Sequence, residues 1–430
     1  MVSAAVAPRR RAVLLVANAA DPYSRALRVG RSLAAAGYEV EIAATSGATS
    51  PRSATDGPLR IVRYEPSGAW ARFAHERRRP AGREPIGRGR IERLRGLPDL
   101  AVRAIAWPAH VRGWWRTLHR ELPPADLYHA FGILTVPVAL ALARDARRRG
   151  REGRTVYDVI DVVLESNNVE RMPAPLLRLH RWRERRWVAA TDAVVTVNEE
   201  IADHLVRAWQ LRDRPTVLLN CQPRWTPGVP RPDLIRSATG IPPERQIVLF
   251  LGRLGRDRGL DEAAEAVVRL DDAALVLIGF GPWAERLRAR DAEPRFAGRH
   301  VTLPAVHPDD VPSWTAAADA SIIAVPGRSL NQRLSTPNKF WESLTAGTPV
   351  VVGRDLAVMR RIVEEAGLGA VADPADPTDL ERALRTILDR PPSEREEMRE
   401  RCLRITREIY NWETAVEPYL DLVTTMVPPR

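Results

Sequence analysis

The chain has 430 residues, of which 45% are hydrophobic and 28% are charged, and its formal net charge is +11. This length accommodates two domains of about 200 residues each, and the composition is typical of a globular protein. No apolar run approaches the ~20 residues that a membrane-spanning helix needs. Two cysteines are too few for a disulfide framework or a cysteine-rich zinc site, as in proteins of a reducing compartment.

The first residues, MVSAAVAPRRRAVLLVANAA, pass from arginines directly into a strand-like run without a small-residue cleavage site. A secretory signal peptide needs such a site, so we expect a cytoplasmic protein. The eight histidines show no HxxxH or HxH spacing, and we predict no bound metal.

Short β-branched runs alternate with helical patterns along the chain. Near-continuous apolar strands separated by helices are typical of parallel sheets covered on both faces, so we predict two doubly wound α/β domains. The predicted strands are 12–18, 39–44, 59–64, 126–130, 155–160, 193–197, 216–219, 247–252, 274–279, 301–303, 321–325, 349–352 and 369–372.

A proline-rich stretch without periodicity, residues 223–245, is predicted to be an interdomain linker. It separates a Rossmann-like N-terminal domain, 1–222, from a Rossmann-like C-terminal domain, 246–409. Residues from about 410 to 430 form an amphipathic pattern, and we expect a helix that is counted with the N-terminal domain and packs back across both domains.

Polar side chains lie near the ends of the N-terminal strands, where ligands of open α/β sheets bind. A binding site on the acceptor side of a reaction is one interpretation, and helix caps with loop solvation are the other. The candidates are Asp21, Tyr23, His129, Asp158, Asp161 and Glu165.

Most of the excess positive charge falls in residues 70–120, which contain 13 arginines and four acidic residues. Val111, Trp114 and Leu118 recur there at helical spacing. A basic amphipathic segment with tryptophans fits peripheral contact with an anionic membrane, at the inner face of the membrane. The alternative is that the apolar residues pack into the domain core and the arginines form a solvated face.

Two loops of the C-terminal domain carry groups suited to a nucleotide. Arg253 ends the strand 247–252, and Arg258 stands where a helix begins, so both suit a diphosphate. Gly281 follows the strand 274–279, where a missing side chain lets the backbone approach a planar ligand such as a nucleobase.

Lys339 is the only lysine of the chain, since the 65 basic residues divide into 64 arginines and this one lysine. A composition so biased toward arginine suggests that the lysine does something that arginine does badly. Binding of a compact ammonium at a crowded phosphate is one such task.

Capping signals place Lys339 at the start of a helix of about three turns. Ser335 or Thr336 is the predicted N-cap, Pro337 suits the first helical position, and Gly347 ends the helix. Free backbone N–H groups at a helix N-terminus attract anions, and a nearby ammonium strengthens this attraction for a phosphate.

Asn338 and Glu342 are four residues apart and share a helical face with Lys339 beside them. A cation for phosphate and a carboxylate for a ribose diol together fit a sugar nucleotide. An ordinary capped helix with a Lys–Glu pair explains the segment equally well.

Nine segments in order resemble the retaining GT-B glycosyltransferases of glycosyltransferase family four. They are SRALRVGRSLAAAGYEVEI, DLYHAFG, TVYDVID, ATDAVVTVNEEIADHL, VLLNCQP, FLGRLGRDRGL, VLIGFGP, HVTLPAVHPDDVPSWTAAADASI and STPNKFWESLTAGTPVVV. The resemblance implies a GT-B architecture, with two doubly wound Rossmann-like domains facing across a cleft. It implies retaining, metal-independent transfer of a sugar from a nucleotide diphosphate sugar, without a cofactor. The acceptor would be a hydroxyl of a glycan, a lipid-linked or a small-molecule acceptor, in cell-envelope polysaccharide or glycoconjugate synthesis.

The resemblance also assigns roles to residues of the C-terminal domain. Arg253 and Lys339 match the positions that bind the diphosphate, and Glu342 matches the ribose ligand. Arg258 stands where the family usually has lysine, so the charge is kept and its shape is changed. The donor side would further include Gly281, Ser335, Thr336 and Asn338.

The sequence departs from the family pattern at several places. An acidic residue that the family often carries eight positions before the ribose glutamate is replaced by Leu334, with Ser335, Thr336 and Asn331 as candidate substitutes. The DxxHxH element keeps His129 and has Phe131 in place of its second histidine, and the YDxHE element lacks its histidine as well.

Two other classes of function stay open at this point. A GT-B sugar-nucleotide epimerase would use the same donor domain and would need acid–base carboxylates, for which Asp158, Asp161 and Glu165 are candidates. A non-catalytic basic binding protein, such as a nucleic-acid-binding protein, would explain the pI of about 10.5. We expect no nucleic-acid partner, because no helix-turn-helix, RNA-recognition or finger pattern accompanies the charge.

Overall fold

The computed structural model describes residues 9–20, 23–45, 50–67, 99–170, 172–228 and 233–429. The chain divides into two compact units. Unit 1 comprises Met1–Leu164, Asn168–Leu218 and Val416–Arg430, and unit 2 comprises Glu165–Asn167 and Leu219–Ala415.

Unit 1 is built on an eight-stranded sheet with helices between its strands. The strands are β1 (Arg11–Val16), β2 (Glu39–Thr45), β3 (Ser53–Asp56), β4 (Leu59–Tyr64), β5 (Leu127–Phe131), β6 (Arg154–Val159), β7 (Ala193–Thr196) and β8 (Thr216–Val217). The helices are α1 (Ser24–Ala35), α2 (Asp99–Glu121), α3 (Val136–Arg148), α4 (Ala174–Val188) and α5 (Glu199–Trp209). The strand order is β3-β4-β2-β1-β5-β6-β7-β8.

All pairings in this sheet are parallel except that of β3 with β4. Every residue of the central strand β1 is buried, because β2 and β5 flank it and helices cover the sheet. Such burial explains its unbroken apolar sequence. The sequence SATD of β3 has no apolar run, and our sequence analysis missed this strand for that reason.

Unit 2 is built on a six-stranded parallel sheet. Its strands are β9 (Gln246–Arg253), β10 (Ala273–Phe280), β11 (His300–Pro304), β12 (Ala320–Ile323), β13 (Val350–Gly353) and β14 (Gly369–Ala372), in the order β11-β10-β9-β12-β13-β14. Its helices are α6 (Leu234–Thr239), α7 (Leu260–Val267), α8 (Ala284–Asp291), α9 (Val311–Ala316), α10 (Leu330–Leu334), α11 (Asn338–Thr345), α12 (Ala357–Ala366), α13 (Pro377–Leu388), α14 (Pro392–Glu408) and α15 (Trp412–Ala415).

Both faces of this sheet are covered by apolar side chains. Phe250 and Leu275 belong to a core cluster with helices α7 and α13, whereas Leu249 and Val276 belong to a cluster on the other face. Successive residues of a strand point to opposite faces, so the continuous apolar sequences of β9 and β10 supply both clusters. Unit 2 is therefore doubly wound.

The segment predicted to be a linker, 223–245, contains regular structure. Helix α6 lies within it, and the buried side chain of Ile235 joins the core of unit 2. The prolines that suggested a linker flank this helix in the sequence.

The last helix, α16 (Glu417–Met426), belongs to unit 1 and joins a buried polar network. The Tyr419 hydroxyl lies 2.9 Å from Nδ1 of His129, and Nε2 of His129 lies 3.1 Å from the Asp158 carboxylate. Arg25 donates two further hydrogen bonds to that carboxylate, at 2.8 and 3.0 Å.

The charges of this network determine the tautomer of His129. Burial alone would raise the pKa of the Asp158 carboxyl, but the charge of Arg25 and the His129 hydrogen bond outweigh it, so its pKa lies below the ordinary value. Burial lowers the pKa of His129, although the hydrogen bond to Asp158 and the charge of that carboxylate act to raise it. The neutral ring therefore donates from Nε2 to the carboxylate and accepts at Nδ1 from the Tyr419 hydroxyl.

Helix α2 covers part of residues 70–120, for which membrane contact and packing into the core were the two interpretations. Trp114 is 1% exposed and Leu118 is fully buried, so these two side chains pack into unit 1, as the alternative interpretation proposed. Residues 70–98 lie outside the described residues, and membrane contact through them stays a prediction. No helix in the described ranges combines the length and apolarity needed to cross a bilayer.

We expect Tyr419→Phe to lower the free energy of unfolding by about 1–3 kcal/mol, because it leaves Nδ1 of His129 buried without a donor. Urea denaturation measures this change. Tyr38→Phe is a matched control, since the Tyr38 hydroxyl makes a longer, 3.3 Å hydrogen bond to the carbonyl of Val427 in the same C-terminal segment. An equal or smaller loss for Tyr419→Phe than for the control would contradict the assigned network.

Candidate functional site

Helix α11 presents Lys339 at its first turn. The helix has eight residues, which is about two turns, so the predicted three turns were too many. Pro337 is the N-cap with extended backbone, and no side chain caps the helix, so the predicted caps Ser335 and Thr336 were wrong. Because no side chain occupies the cap, the first N–H groups remain available to an anion.

The ammonium of Lys339 is buried in an apolar setting. Its Nζ lies 3.7 Å from the centroid of the Phe250 ring, on β9, in a cation–π arrangement. Among the residues that the structure describes, no hydrogen-bond partner reaches this buried nitrogen. An ammonium that has lost water without gaining acceptors is costly, which indicates a place for an anionic ligand.

This environment changes the protonation of Lys339. Burial, followed by the charge of Arg258, lowers the pKa of its ammonium from 10.5 to about 7, and Glu342 opposes the change. The ammonium therefore loses its proton far more readily than that of an exposed lysine. A bound anion would restore the ordinary, higher pKa.

Glycines shape the loops that surround the lysine. A Cβ on Gly252, which has φ of 126°, would lie 3.5 Å from Nζ of Lys339. A Cβ on Gly281 would lie 2.2 Å from the carbonyl oxygen of Leu254. The predicted glycine at position 281 is thus required by the contact between the loops after β9 and β10. Phe280, beside it, is 62% exposed and offers a ring face to a planar ligand.

The two predicted arginines follow β9. Arg253 is the last residue of the strand and is exposed, with no ion pair in the part of the chain described. Arg258 is half-buried, one residue before the N-cap Gly259 of α7, and its charge acts on Lys339. The structure therefore brings two predicted cations near each other: Arg258, from the loop between β9 and α7, and Lys339, from α11.

Asn338 and Glu342 lie on α11 as predicted. The Asn338 side-chain oxygen accepts a 2.6 Å hydrogen bond from Asn220, which belongs to the same unit. Glu342 is half-buried, and its charge acts on Lys339. Asn220 was missed in our sequence analysis, because nothing in the local pattern shows that VLLNCQP reaches α11.

The segment before α11 carries the residues considered as substitutes for the missing acidic residue. Leu334 ends α10, and Ser335 and Asn331 are half-buried. The hydroxyl of Thr336 is buried and makes no hydrogen bond to any residue within the described ranges. A second unsatisfied polar atom beside Lys339 again indicates a ligand position.

Gln332, which our sequence analysis did not single out, orders this segment. It forms a capping box with Ser329, and its side-chain oxygen accepts from the backbone N–H of Arg328 at 3.0 Å and from Asn167 at 3.2 Å. The S-x-x-Q spacing, Ser329 to Gln332, is the sequence signal that could have identified it.

The N-terminal candidates occupy different environments. Asp21 lies outside the described residues. His129 and Asp158 are fully buried in the network with Tyr419, which organises the core of unit 1, and their role toward an acceptor stays a prediction. Tyr23 is half-buried with its ring edge against Phe131, and Asp161 is exposed.

Tyr23, Asp158 and Asp161 nevertheless lie near one another, at the carboxyl ends of β5 and β6. Burial raises the pKa of the Tyr23 hydroxyl, and the negative charges of Asp158 and Asp161 add to the increase. Tyr23 is therefore a neutral hydrogen-bonding group at every pH that the protein meets.

Comparisons with known proteins find similarity to one enzyme family and to one fold. Residues 233–407 match the family described as Glycosyl transferases group 1. A GDP-mannose-dependent alpha-(1-6)-phosphatidylinositol dimannoside mannosyltransferase of Mycobacterium tuberculosis is 31% identical over 188 residues, which cover 43% of this chain and 45% of that relative. A 2-deoxystreptamine glucosyltransferase of Streptomyces kanamyceticus is 25% identical over 384 residues, 85% of this chain and 89% of that protein.

Solved structures show the same fold. Sucrose-phosphate synthase of Thermosynechococcus elongatus has a TM-score of 0.71 at 18% identity, covering 97% of this chain and 99% of that one. An alpha,alpha-trehalose-phosphate synthase (UDP-forming) of Burkholderia xenovorans has a TM-score of 0.63 at 15% identity, covering 96% and 100%. The two parallel sheets and these likenesses confirm the predicted GT-B fold.

We expect Lys339 to titrate near pH 7. Because it is the only lysine, protein labelled with ¹³C-lysine gives a single side-chain resonance to follow by NMR. The midpoint should lie about three units below the ~10.4 of an exposed lysine, as burial and Arg258 require. A midpoint above 9.5 in the ligand-free protein would show that the ammonium is solvated or already paired.

Proposed function

We propose that this protein transfers a sugar from a nucleotide diphosphate sugar to a hydroxyl acceptor. Its residues 233–407 match the glycosyl transferases group 1 family. The observation that carries this proposal is the buried Lys339 ammonium, which has no partner among the described residues of its own unit. It lies beside Arg258, one helical turn from Glu342, at a helix N-terminus without a side-chain cap.

The diphosphate would bind where these cations meet. Lys339 supplies a compact charge, Arg258 and Arg253 supply guanidinium groups, and the first N–H groups of α11 donate along the helix axis. The buried Thr336 hydroxyl lies at the same end of α11 and can donate to a phosphate or sugar oxygen. Burial makes each of these interactions stronger than it would be in water.

The nucleoside would extend along α11 and toward the loop after β10. Glu342 lies one turn beyond Asn338 and can accept hydrogen bonds from both hydroxyls of a ribose. Gly281 belongs to the β10 loop, whose exposed Phe280 ring can stack on a base. Asn220 orients Asn338 through its 2.6 Å hydrogen bond and so acts as a positioning residue.

The reaction that fits these groups is a retaining transfer in which the protein supplies little acid–base chemistry. The bond between the anomeric carbon and the phosphate oxygen breaks, and the diphosphate leaves with the electron pair. The acceptor hydroxyl forms its new bond on the same face, and its proton passes to a phosphate oxygen. Lys339, Arg253 and Arg258 oppose the negative charge that grows on the diphosphate, in place of a metal ion.

The acceptor is proposed to be a hydroxyl of a glycan, a lipid-linked or a small-molecule acceptor in the synthesis of cell-envelope polysaccharides or glycoconjugates. The names of the similar proteins support this class, since one concerns a phosphatidylinositol dimannoside and another 2-deoxystreptamine. Both compounds present ring hydroxyls. Tyr23 and Asp161 of unit 1 are the candidates on this side.

We expect Lys339→Met to lower turnover at least about a hundredfold, because one preorganised donor to the leaving group is worth on the order of 3 kcal/mol. The same change should raise the melting temperature of the ligand-free protein by about 2–4 °C, since it removes an unpaired buried ammonium worth roughly 1 kcal/mol. Transfer from UDP-, GDP-, ADP- and TDP-sugars, with differential scanning fluorimetry, measures both effects.

Arg288→Gln is the matched control for Lys339→Met, since Arg288 is an exposed cation of the same unit and has no ion pair within the described residues. It should change neither turnover nor melting temperature. Near wild-type turnover of a folded Lys339→Met protein would exclude the proposed role of the lysine.

We expect the product to keep the anomeric configuration of the donor sugar, and we expect turnover to survive EDTA. Retention follows because the acceptor hydroxyl attacks the face from which the diphosphate leaves, and metal independence follows because Lys339 and the arginines neutralise the diphosphate. Proton NMR of the first product formed distinguishes the two anomers. An inverted product, or activity that EDTA abolishes and Mg²⁺ restores, would refute this mechanism.

A further inference from the structure

Helix α4 of unit 1 carries large apolar side chains on its exposed face. Trp182 is 54% exposed and Leu179 is 39% exposed, and both rank among the few large apolar side chains of the described residues that face solvent. Arg183 and Arg186 follow at helical spacing, so these four side chains share one face. Arg186 lies over the Trp182 ring, 5.1 Å from its centroid.

The opposite face of α4 is fixed by packing. His180, Glu184 and Val188 recur every four residues and are buried. Glu184, the one acidic residue of the helix, accepts a 2.9 Å hydrogen bond from the hydroxyl of Tyr157. The exposed face therefore carries only apolar and cationic side chains. Packing of the buried face fixes its orientation.

A groove of about 430 Å³ runs beside this face, between α2, α3 and α4. It is mostly apolar, and its lining contains two arginines and no acidic residue. Trp115 and Trp187 are half-buried in its wall, while Arg112 and Arg183 stand there as its charged groups. Neither arginine forms an ion pair with any described residue.

The groove thus offers an apolar channel and two guanidinium groups that form no ion pair with any described residue. An anionic amphiphile has the complementary features: an acyl chain and a headgroup rich in acceptor oxygens.

We infer that the face of α4 formed by Leu179, Trp182, Arg183 and Arg186, together with the adjoining groove, docks on an anionic lipid bilayer. Trp182 and Leu179 would enter the interface between headgroups and acyl chains, where amphipathic aromatic rings are most stable. The arginines would bind lipid phosphates, each contributing through attraction to the negative surface. The groove would receive part of one lipid.

A bilayer fits this surface better than a nucleic acid does. Nucleic-acid binding requires a basic patch with hydrogen-bonding side chains, whereas exposed Leu179 and the apolar groove gain nothing from a phosphate backbone. A bilayer uses both the apolar and the cationic part of the face. This inference concerns α4 and the groove and does not depend on residues 70–98.

Co-sedimentation with vesicles tests the inference on the full chain. The wild type should bind vesicles of phosphatidylglycerol and phosphatidylcholine mixed 1:1 and should bind pure phosphatidylcholine vesicles at least tenfold more weakly. Arg183→Gln with Arg186→Gln, and separately Leu179→Ser with Trp182→Ser, should each weaken binding on the order of tenfold. Vesicle binding needs no sugar donor, so its outcome is independent of the proposed transfer reaction.

Matched controls use exposed residues elsewhere. Arg288→Gln with Arg404→Gln removes two exposed arginines of unit 2, and Ile409→Ser removes an apolar side chain that is 55% exposed. Both should bind like the wild type. Ala141→Phe, which narrows the groove, should weaken binding while leaving the melting temperature unchanged, because Ala141 lines the groove and is only half-buried.

Three results would overturn the inference. The first is equal binding of the wild type to anionic and neutral vesicles. The second is wild-type binding by both α4 double variants, which would place any membrane contact elsewhere. The third is a dimer in sedimentation equilibrium that the Leu179→Ser, Trp182→Ser protein loses while its vesicle binding is unchanged, since the face would then join two copies of the chain.

Discussion

The chemistry of unit 2 depends on one ammonium group that is buried without an acceptor. Lys339 lies over the Phe250 ring, and no described residue supplies an oxygen to its Nζ. Hydrophobic packing of the sheet therefore holds a cation where no described residue neutralises it, and the proposed diphosphate would do so. Its pKa, lowered to about 7, reflects how unfavourable the charged form is in this position.

Unit 1 also contains a buried charged group, but there the charge has hydrogen-bond partners. The Asp158 carboxylate is equally inaccessible to water, but Arg25 and His129 satisfy it, and Tyr419 completes the chain of hydrogen bonds. A buried charge with all its partners organises a core, whereas a buried charge without them marks a binding site. This contrast separates Lys339 from His129, which looked alike as isolated polar residues in the sequence.

The charged groups on the surface are arranged differently from those in the candidate site. Several exposed arginines of unit 2 pair with carboxylates, as Arg354 does with Asp379 and Arg360 with Glu364. On α4 the only carboxylate, Glu184, turns inward to Tyr157, which leaves the outward guanidinium groups beside exposed Trp182. A face that carries cations and no carboxylate attracts anions.

The sequence by itself determined the strands, because burial on both faces forces unbroken apolar runs such as those of β1, β9 and β10. It also predicted that Lys339, Arg253, Arg258 and Glu342 belong to one donor site, and the structure places the charges of Arg258 and Glu342 near Lys339. It missed β3, whose exposed residues carry no apolar pattern, and it assigned caps to α11 that Pro337 replaces. Only the tertiary structure showed that His129 is satisfied in the core, that Asn220 reaches Asn338 and that the Lys339 ammonium lies on Phe250. Each of these facts joins residues far apart in the chain, and such contacts are set by packing in three dimensions, which no local spacing encodes.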